Sequence, residues 1–191
     1  MEGIGKRFSQ NKQHNNIHSK TIGNAIIFAG SCSNATQKQV HNYLDGGGNG
    51  IELDPEKLLQ GTQNIQDVWN QICKCNSEDI LIYSCGSAGK IQNTDNHFAK
   101  AQILEDTVAA LAKKAAENGY NRIISAGGET SGAITKSLGF DSYYIGESVA
   151  PGVPIMIPFE KMTMRLVLKS GNFGSEDFFT KALEKTGSGK I

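Results

Sequence analysis

The sequence predicts an α/β fold, a three-layer Rossmann-like sandwich around a mainly parallel sheet, with a C-terminal β-hairpin region. Three apolar runs of strand length predict buried strands, and a glycine or serine turn follows each: Asn24 to Gly30, Asp79 to Ser84 and Arg122 to Ala126. Segments of helical spacing separate these runs, and buried strands that alternate with helices are typical of a parallel sheet covered on both faces. After Leu138 the pattern changes to short strands joined by Pro and Gly turns, which predicts hairpins.

Capping residues and apolar spacing predict the helices. Serine and asparagine after the first strand are favourable N-caps for a helix over Thr36 to Leu44. Asp54-Pro55-Glu56 supplies an N-cap, a proline at the first helical position and a first-turn acid. The longest helix is predicted over Ala99 to Asn118, with a glycine just past its end. A final helix is predicted after Ser175-Glu176-Asp177.

One folded domain is predicted, over residues 24–186. Residues 1–23 are polar and show neither helical nor strand periodicity, which predicts a linker or disordered arm. Residues 187–191 contain two glycines and a serine and are predicted to form a flexible tail. With 191 residues in all, the chain is long enough to bury a substantial core.

The composition excludes several classes of partner. Nineteen basic and nineteen acidic residues balance, so no net field attracts nucleic acid or an anionic membrane. Neither a signal peptide nor an apolar run long enough to cross a bilayer is present, and we expect a cytoplasmic protein. Assembly into a homo-oligomer is compatible with this composition. The four cysteines form no paired zinc pattern, and no second Cys or His cluster accompanies Cys73 and Cys75, so we expect no metal ligands among them.

A glycine turn between the Arg122 to Ala126 strand and the next helix predicts an anion site. Gly127 and Gly128 end the strand, and Glu129 to Gly132 lead into Ala133 to Leu138, which has helical spacing. The first N–H groups of a helix lack partners inside it, and the helix dipole adds partial positive charge, so a phosphate is stabilised there. Glycines let the backbone approach such a ligand closely. The same pattern is equally compatible with a simple turn of the chain.

Two lysines adjoin further glycine loops. The segment from Cys85 to Lys90 resembles a phosphate loop, but the Walker pattern fails because Ser84 replaces its first glycine and Ile91 replaces its Ser or Thr. Lys169 ends the last strand before Ser170-Gly171. A role in phosphate binding and a solvated lysine at a strand end are equally compatible with that position.

Three of the turns are predicted to line one crevice. In an open parallel sheet, ligands bind outside the carboxyl ends of the strands. Gly30-Ser31, Gly127-Gly128 and Ser170-Gly171 would all lie at such ends. This arrangement predicts a site for a nucleotide or another phosphorylated ligand.

Four separate motifs resemble the nucleotide-binding half of the four-carbon acid sugar kinases. Their order and spacing agree with that family from about residue 24 to residue 185, and the last motif is most similar to that of the 3-oxo-tetronate kinases. The resemblance implies transfer of a phosphoryl group from ATP to the terminal hydroxyl of a 3-oxo four-carbon acid. The motifs include Gly30-Ser31-Cys32-Ser33, Ala126 to Gly132, Pro151-Gly152-Val153-Pro154 and Leu168 to Gly174.

The resemblance also implies which residues contact ATP. They are Ser31, Gly127, Gly128, Glu129, Thr130 and Gly171. Backbone amides and hydroxyl groups in this set suit phosphate oxygens. The carboxylate of Glu129 would repel phosphate, so we expect it to face Mg²⁺, the ribose hydroxyls or a backbone N–H. Phosphoryl transfer requires mainly positioning and charge neutralisation, usually by Mg²⁺.

The catalytic residues remain unassigned by the sequence. Members of the family carry an N-terminal domain that holds the acid sugar and should activate its hydroxyl, and this sequence has only a short polar segment before Ala25. The alternative to half of a kinase is a non-catalytic nucleotide-binding module. An oxidoreductase is disfavoured because the Gly-x-Gly-x-x-Gly spacing is missing at Gly127 to Gly132.

Overall fold

The computed structural model describes residues 19–30, 33–75, 77–84 and 96–187. Its strands are β1 (Asn24–Ala29), β2 (Gly50–Glu52), β3 (Asp79–Tyr83), β4 (Tyr120–Ala126), β5 (Tyr143–Ala150), β6 (Val153–Pro158) and β7 (Arg165–Lys169). Its helices are α1 (Asn34–Asp45), α2 (Pro55–Leu59), α3 (Ile65–Lys74), α4 (His97–Glu117), α5 (Gly128–Leu138) and α6 (Phe178–Thr186).

The strands form one sheet in the order β2-β3-β1-β4-β7-β6-β5. The first five strands of that order are parallel. Strand β6 runs antiparallel to both of its neighbours, β7 and β5. The predicted α/β class, the mainly parallel sheet and the C-terminal hairpin region are therefore confirmed. Chain order reverses direction across the sheet between β1 and β4, which is where a crevice is expected in such folds.

Strand register aligns the carboxyl ends of the central strands. Ala29 of β1 lies opposite Tyr83 of β3 on one side and opposite Ala126 of β4 on the other. Ala126 in turn lies opposite Lys169, the last residue of β7. The chain consequently leaves β3, β1, β4 and β7 at the same side of the sheet, where the carboxyl ends of these strands lie.

Alternate side chains of each strand fill two cores, one on each face of the sheet. In β1, Ile26 and Phe28 pack against α3 and α4, whereas Ile27 and Ala29 pack against α1 and α6. All four are buried, which explains why the sequence of this strand is apolar throughout instead of alternating. The two faces make the three layers that were predicted. Trp69, predicted to be core, is buried on the α3–α4 face.

Helix α5 begins earlier than the sequence indicated. The predicted helical spacing starts at Ala133, but the helix starts at Gly128, and the N–H of Ser131 already donates to the carbonyl of Gly127 at 2.9 Å. Gly127 has a φ of 127°, a conformation that favours glycine, and it turns the chain directly from β4 into the helix. The predicted boundaries of α1 and α4 agree with the structure to within two residues.

Residues 19–23, the end of the predicted arm, lie against the domain. The N–H of Thr21 donates to the carbonyl of Thr186 at 2.8 Å, and Arg165 Nε donates to the carbonyl of Ser19 at 3.0 Å. Residues 1–18 and 188–191 lie outside the described residues, so the boundaries of the arm and the tail stay predictions. None of the helices in the described part of the chain is long and apolar enough to span a membrane.

Candidate functional site

Backbone hydrogen bonds extend past the paired strand ends and bring the loops together. The N–H of Gly127 donates to the carbonyl of Lys169 at 2.9 Å, and the N–H of Gly30 donates to the carbonyl of Ala126 at 3.2 Å. The loops after β1, β4 and β7 therefore leave the sheet side by side. Among the described residues, Gly30 and Gly127 to Thr130 line one cavity, whereas Ser170 and Gly171 do not line it. Ser31, the predicted contact in the first loop, lies outside the described residues, as does Lys90.

The N-terminus of α5 offers a group of backbone donors. Gly128, Glu129 and Thr130 form its first turn, where N–H groups have no carbonyl partner inside the helix, and no side chain caps it. The helix dipole gives these donors partial positive charge. Thr130 is 7% exposed, and its hydroxyl has no hydrogen-bond partner within the part of the chain that the structure describes. Four of the predicted contact residues, Gly127 to Thr130, therefore lie together.

The carbonyl of Gly171 is held by three side-chain donors. Ser33 Oγ donates to it at 2.7 Å, Thr36 Oγ1 at 3.0 Å and Lys169 Nζ at 3.1 Å. Ser33 also caps α1, since its oxygen accepts from the N–H of Thr36 at 3.3 Å. The start of α1 and the loop after β7 are thus joined at the same edge as the donors of α5.

Lys169 is not solvated. Its side chain is 2% exposed, and its ammonium group donates to Thr36 Oγ1 at 3.1 Å as well as to the backbone of the following loop. Of the two interpretations left open by the sequence, the solvated strand-end lysine is wrong. The amine is turned into the protein beneath the Gly171 loop.

The side chain of Gln39 fixes the rest of that loop. Its Nε2 lies 3.0 Å from the carbonyl oxygen of Phe173, 3.2 Å from that of Gly174 and 3.0 Å from that of Ser175. Thr36 and Gln39 lie in the helix predicted over Thr36 to Leu44, but their role in the loop was not predicted. Their spacing could have indicated this role. Thr36 and Gln39 are three residues apart on one face of a helix, and polar side chains on a buried face need hydrogen-bond partners.

A cavity of about 480 Å³ opens beside the first turn of α5. The ends of β1 and β3 and the first turn of α5 line one side, and the first turns of α4 line the other. The α4 wall combines apolar Leu104 and Val108 with charged Lys100 and Glu105. Lys100 is 9% exposed and its Nζ lies 2.8 Å from Glu56 Oε1. An apolar wall facing a group of convergent polar donors is typical of small-molecule sites.

Carboxylates at this cavity suit a divalent cation held together with a phosphate. Glu129 and Glu105 both line it, and Glu129 is exposed. Mg²⁺ usually keeps several waters and is held by one or two carboxylates plus phosphate oxygens, so these two residues fit it. Within residues 19–30, 33–75, 77–84 and 96–187, this cavity included, no group of three His, Cys, Asp or Glu side chains could hold a metal. Cys73 and Cys75 are free thiols.

Comparison with known proteins gives the family. Residues 26–179 match the family described as the nucleotide-binding C-terminal domain. The chain belongs to this family. The match covers the turns after β1, β4 and β7, and it begins in β1 and ends in α6.

Relatives of this nucleotide-binding domain are kinases. The chain is 34% identical over 168 residues to the 3-oxo-tetronate kinase of Cupriavidus necator, a match covering 86% of this chain and 39% of that protein. It is 35% identical over 184 residues to the 3-oxo-tetronate kinase of Haemophilus influenzae, with 94% of this chain and 44% of that protein covered. The chain therefore spans about two fifths of the length of these relatives.

A solved structure confirms the fold. The chain superposes on a crystal structure of a Haemophilus influenzae protein with a TM-score of 0.79 and 35% sequence identity, over 86% of this chain and 41% of that one. The α/β architecture of the chain is thus that of a solved structure with which it shares 35% sequence identity.

Proposed function

We propose that this chain is the ATP-binding half of a kinase that phosphorylates a four-carbon acid sugar, converting 3-oxo-tetronate to 3-oxo-tetronate 4-phosphate. The observation that carries the proposal is the uncapped first turn of α5, which lines a cavity of about 480 Å³, within the size range of small-molecule sites. The family membership and the activity named for the relatives support the same reading. A cytoplasmic location, where ATP is available, goes with this proposal.

The polyphosphate would bind at the first turn of α5. The N–H groups of Gly128, Glu129 and Thr130 and the Thr130 hydroxyl are donors for its oxygens, and donors to charged phosphate are stronger than those to neutral acceptors. Gly171 would contact the nucleotide from the neighbouring loop, and Ser31 from the loop after β1. Backbone donors fixed by helix α5 and by the loop after β7 would hold the phosphates in place without reorganisation, which is the main requirement of phosphoryl transfer.

Mg²⁺ is part of the proposal. When bound, it would neutralise charge on the phosphate oxygens, which is the chemistry it supplies in kinases generally. Glu129 and Glu105 are the residues that would hold it, directly or through water. Without a cation, the Glu129 carboxylate would repel the phosphates that bind to its own helix terminus.

The acid sugar would bind to a second domain that faces this cavity. The matched region of the relatives leaves more than half of their length unaccounted for, and that part would position the sugar hydroxyl. We assign no general base to this chain. The expected behaviour of the chain by itself is ATP binding with negligible turnover.

Calorimetry with Mg·ATP, ADP and NAD tests the proposal. We expect ATP and ADP to bind and NAD to bind far more weakly. Gly128→Val should abolish ATP binding while leaving the fold intact, because a Cβ at this position meets no atom within 4 Å in the protein but would occupy the space of the phosphate.

The matched control is Gly132→Val, in the same helix. A Cβ at Gly132 also meets no atom within 4 Å, and this residue lies outside the cavity lining. ATP binding to the Gly128 variant with wild-type affinity would overturn the phosphate site. ATP binding without turnover, even when the sugar-binding domain of a relative is supplied, would instead identify a non-catalytic nucleotide-binding module.

A further inference from the structure

Lys169 holds the backbone of the loop after β7, and this contact has a consequence for the proposed nucleotide site. Its Nζ lies 3.4 Å from the carbonyl oxygen of Ser170 and 3.1 Å from that of Gly171. Two successive carbonyl groups are therefore drawn towards one buried ammonium group. Thr36 Oγ1 links the two contacts, because it accepts from Lys169 Nζ and donates to the Gly171 carbonyl.

The direction of these carbonyls fixes the direction of the next two N–H groups. A trans peptide unit is planar, and its C=O and N–H point in opposite directions. The described peptide bonds are trans, so the N–H groups of Gly171 and Asn172 point away from Lys169. Within the described residues, neither N–H has an acceptor. The loop thus presents two adjacent donors on the side opposite the lysine.

These two donors lie next to the donors of α5. The loop that contains them leaves β7 directly after Lys169, and Lys169 pairs with Ala126, two residues before α5. Paired strands are about 4.8 Å apart, so the two sets of donors leave the sheet side by side. Adjacent backbone N–H groups that point the same way form a concave anion site.

The lysine also brings a charge that the backbone lacks. Lys169 is 2% exposed, and its ammonium group lies 5.6 Å from the centre of the Phe178 ring. A cation in such surroundings acts on neighbouring groups through a lower effective dielectric than it would in water. The N–H groups that it orients are polarised by its contact with their carbonyls.

We propose that Lys169 is a positioning residue for the nucleotide phosphates: it does not touch them, but holds the loop so that the N–H groups of Gly171 and Asn172 face them. The inference rests on the proposed ATP binding and deepens it. Thr36 is the second member of this device, because its hydroxyl bridges the lysine and the Gly171 carbonyl.

The test compares ATP, ADP and adenosine binding to the full chain by calorimetry. Lys169→Met should weaken ATP and ADP binding by about tenfold or more while leaving adenosine affinity within about twofold, since the amides that Lys169 positions would contact only the phosphates. Lys136→Met is the matched control, because this lysine is exposed on α5, and it should leave all three affinities unchanged.

A second pair of variants tests the proposal if the Lys169→Met protein does not fold. Thr36→Val keeps the shape of the side chain and removes the bridging hydroxyl, whereas Thr36→Ser keeps the hydroxyl. We expect Thr36→Val to weaken ATP binding several-fold and Thr36→Ser to retain it. In NMR spectra, adding pyrophosphate with Mg²⁺ should shift the Gly171 and Asn172 amides of the wild type and of the Ser variant, and shift them less in the Val variant.

The outcomes separate this inference from the proposed function. If the wild type does not bind ATP, the proposed function fails first. If the wild type binds ATP and the Lys169 and Thr36 variants bind it equally well, the function stands and the positioning role is overturned. Equal loss of ATP and adenosine affinity would show that the two residues only maintain the fold, and would overturn it as well.

Discussion

Thr130 Oγ1 occupies the space where a side chain at residue 30 would begin. A Cβ built on Gly30 would lie 2.2 Å from this oxygen, far inside normal contact distance. The end of β1 and the first turn of α5 therefore fit together only because Gly30 has no side chain. The same hydroxyl is one of the proposed phosphate donors, so this packing also sets where that donor lies.

Gly30→Ala should destabilise the protein by about 1–3 kcal/mol, because the methyl group displaces the Thr130 hydroxyl from its rotamer or shifts the helix. Thr130→Ala removes the obstacle, so Gly30→Ala should cost much less in that background. Urea denaturation of the four proteins in this double-mutant cycle measures the coupling. Additive effects of the two substitutions would show that residue 30 does not meet Thr130.

Gly127→Ala should cost about 1–3 kcal/mol in the free energy of unfolding, because a φ of 127° is strained for a residue with a Cβ. Gly128→Ala is the neighbouring control. A Cβ at residue 128 would meet no atom within 4 Å, and the φ of this residue is not positive. Its effect on stability should be small or slightly favourable. Equal destabilisation by both substitutions would contradict the assignment of the turn to Gly127 alone.

Stability should fall as the pH rises above about 10, the ordinary pKa of tyrosine. Burial and the carboxylate of Asp79, to which its hydroxyl donates, raise the pKa of Tyr43 in the folded protein. A folded-state pKa above the unfolded value contributes stability that is complete below the unfolded pKa and is lost as the pH rises towards the folded one. Burial likewise raises the pKa of Tyr120 and of Tyr143.

Tyr43→Phe should therefore flatten the alkaline limb of the stability profile and lower stability at pH 7 by about 1–3 kcal/mol, because Asp79 loses its donor. Urea denaturation between pH 7 and pH 11 measures both effects. Tyr143→Phe serves as a comparison at a less buried tyrosine. An unchanged slope in the Tyr43 variant would mean that this phenol does not titrate with unfolding.

Gln39→Met should loosen the loop after β7 without unfolding the domain. The substitution removes the donor shared by the carbonyls of residues 173–175, at a cost of about 1–3 kcal/mol for groups left unpaired. Hydrogen exchange at the Phe173 amide, which donates to Ser170, should become faster. Gln102→Met, on the exposed face of α4, should leave that rate unchanged.

The sequence was sufficient for the features that depend on local signals. Apolar runs such as Asn24 to Gly30 predicted the buried strands, and the turns after them predicted that the glycine loops share one edge. The start of α5 was placed five residues late because Glu129 to Gly132 shows no apolar spacing, and only the bond from Ser131 to Gly127 reveals the helix.

These local signals could not predict contacts between distant parts of the chain. The burial of Lys169 depends on Thr36, a partner 133 residues away, and nothing in Leu168 to Gly171 indicates it. The three carbonyls bound by Gln39 lie 134 to 136 residues from it. Propensity and periodicity describe single elements, whereas the environment of a polar side chain is set by the element that packs on it.

Helix α1 packs into the core through Val40 and Tyr43. Side chains of the same helix and its cap, Ser33, Thr36 and Gln39, contact the loop after β7. Four carbonyls of the loop, those of Gly171 and residues 173–175, contact side chains of this one helix and its cap, so they should detach together, as a cooperative unit that opens before the domain unfolds. A ligand bound to the amides of this unit would raise the free energy of that opening by mass action. Ligand binding would then slow the hydrogen exchange of a few loop amides at ligand concentrations that do not yet change the melting temperature of the whole domain.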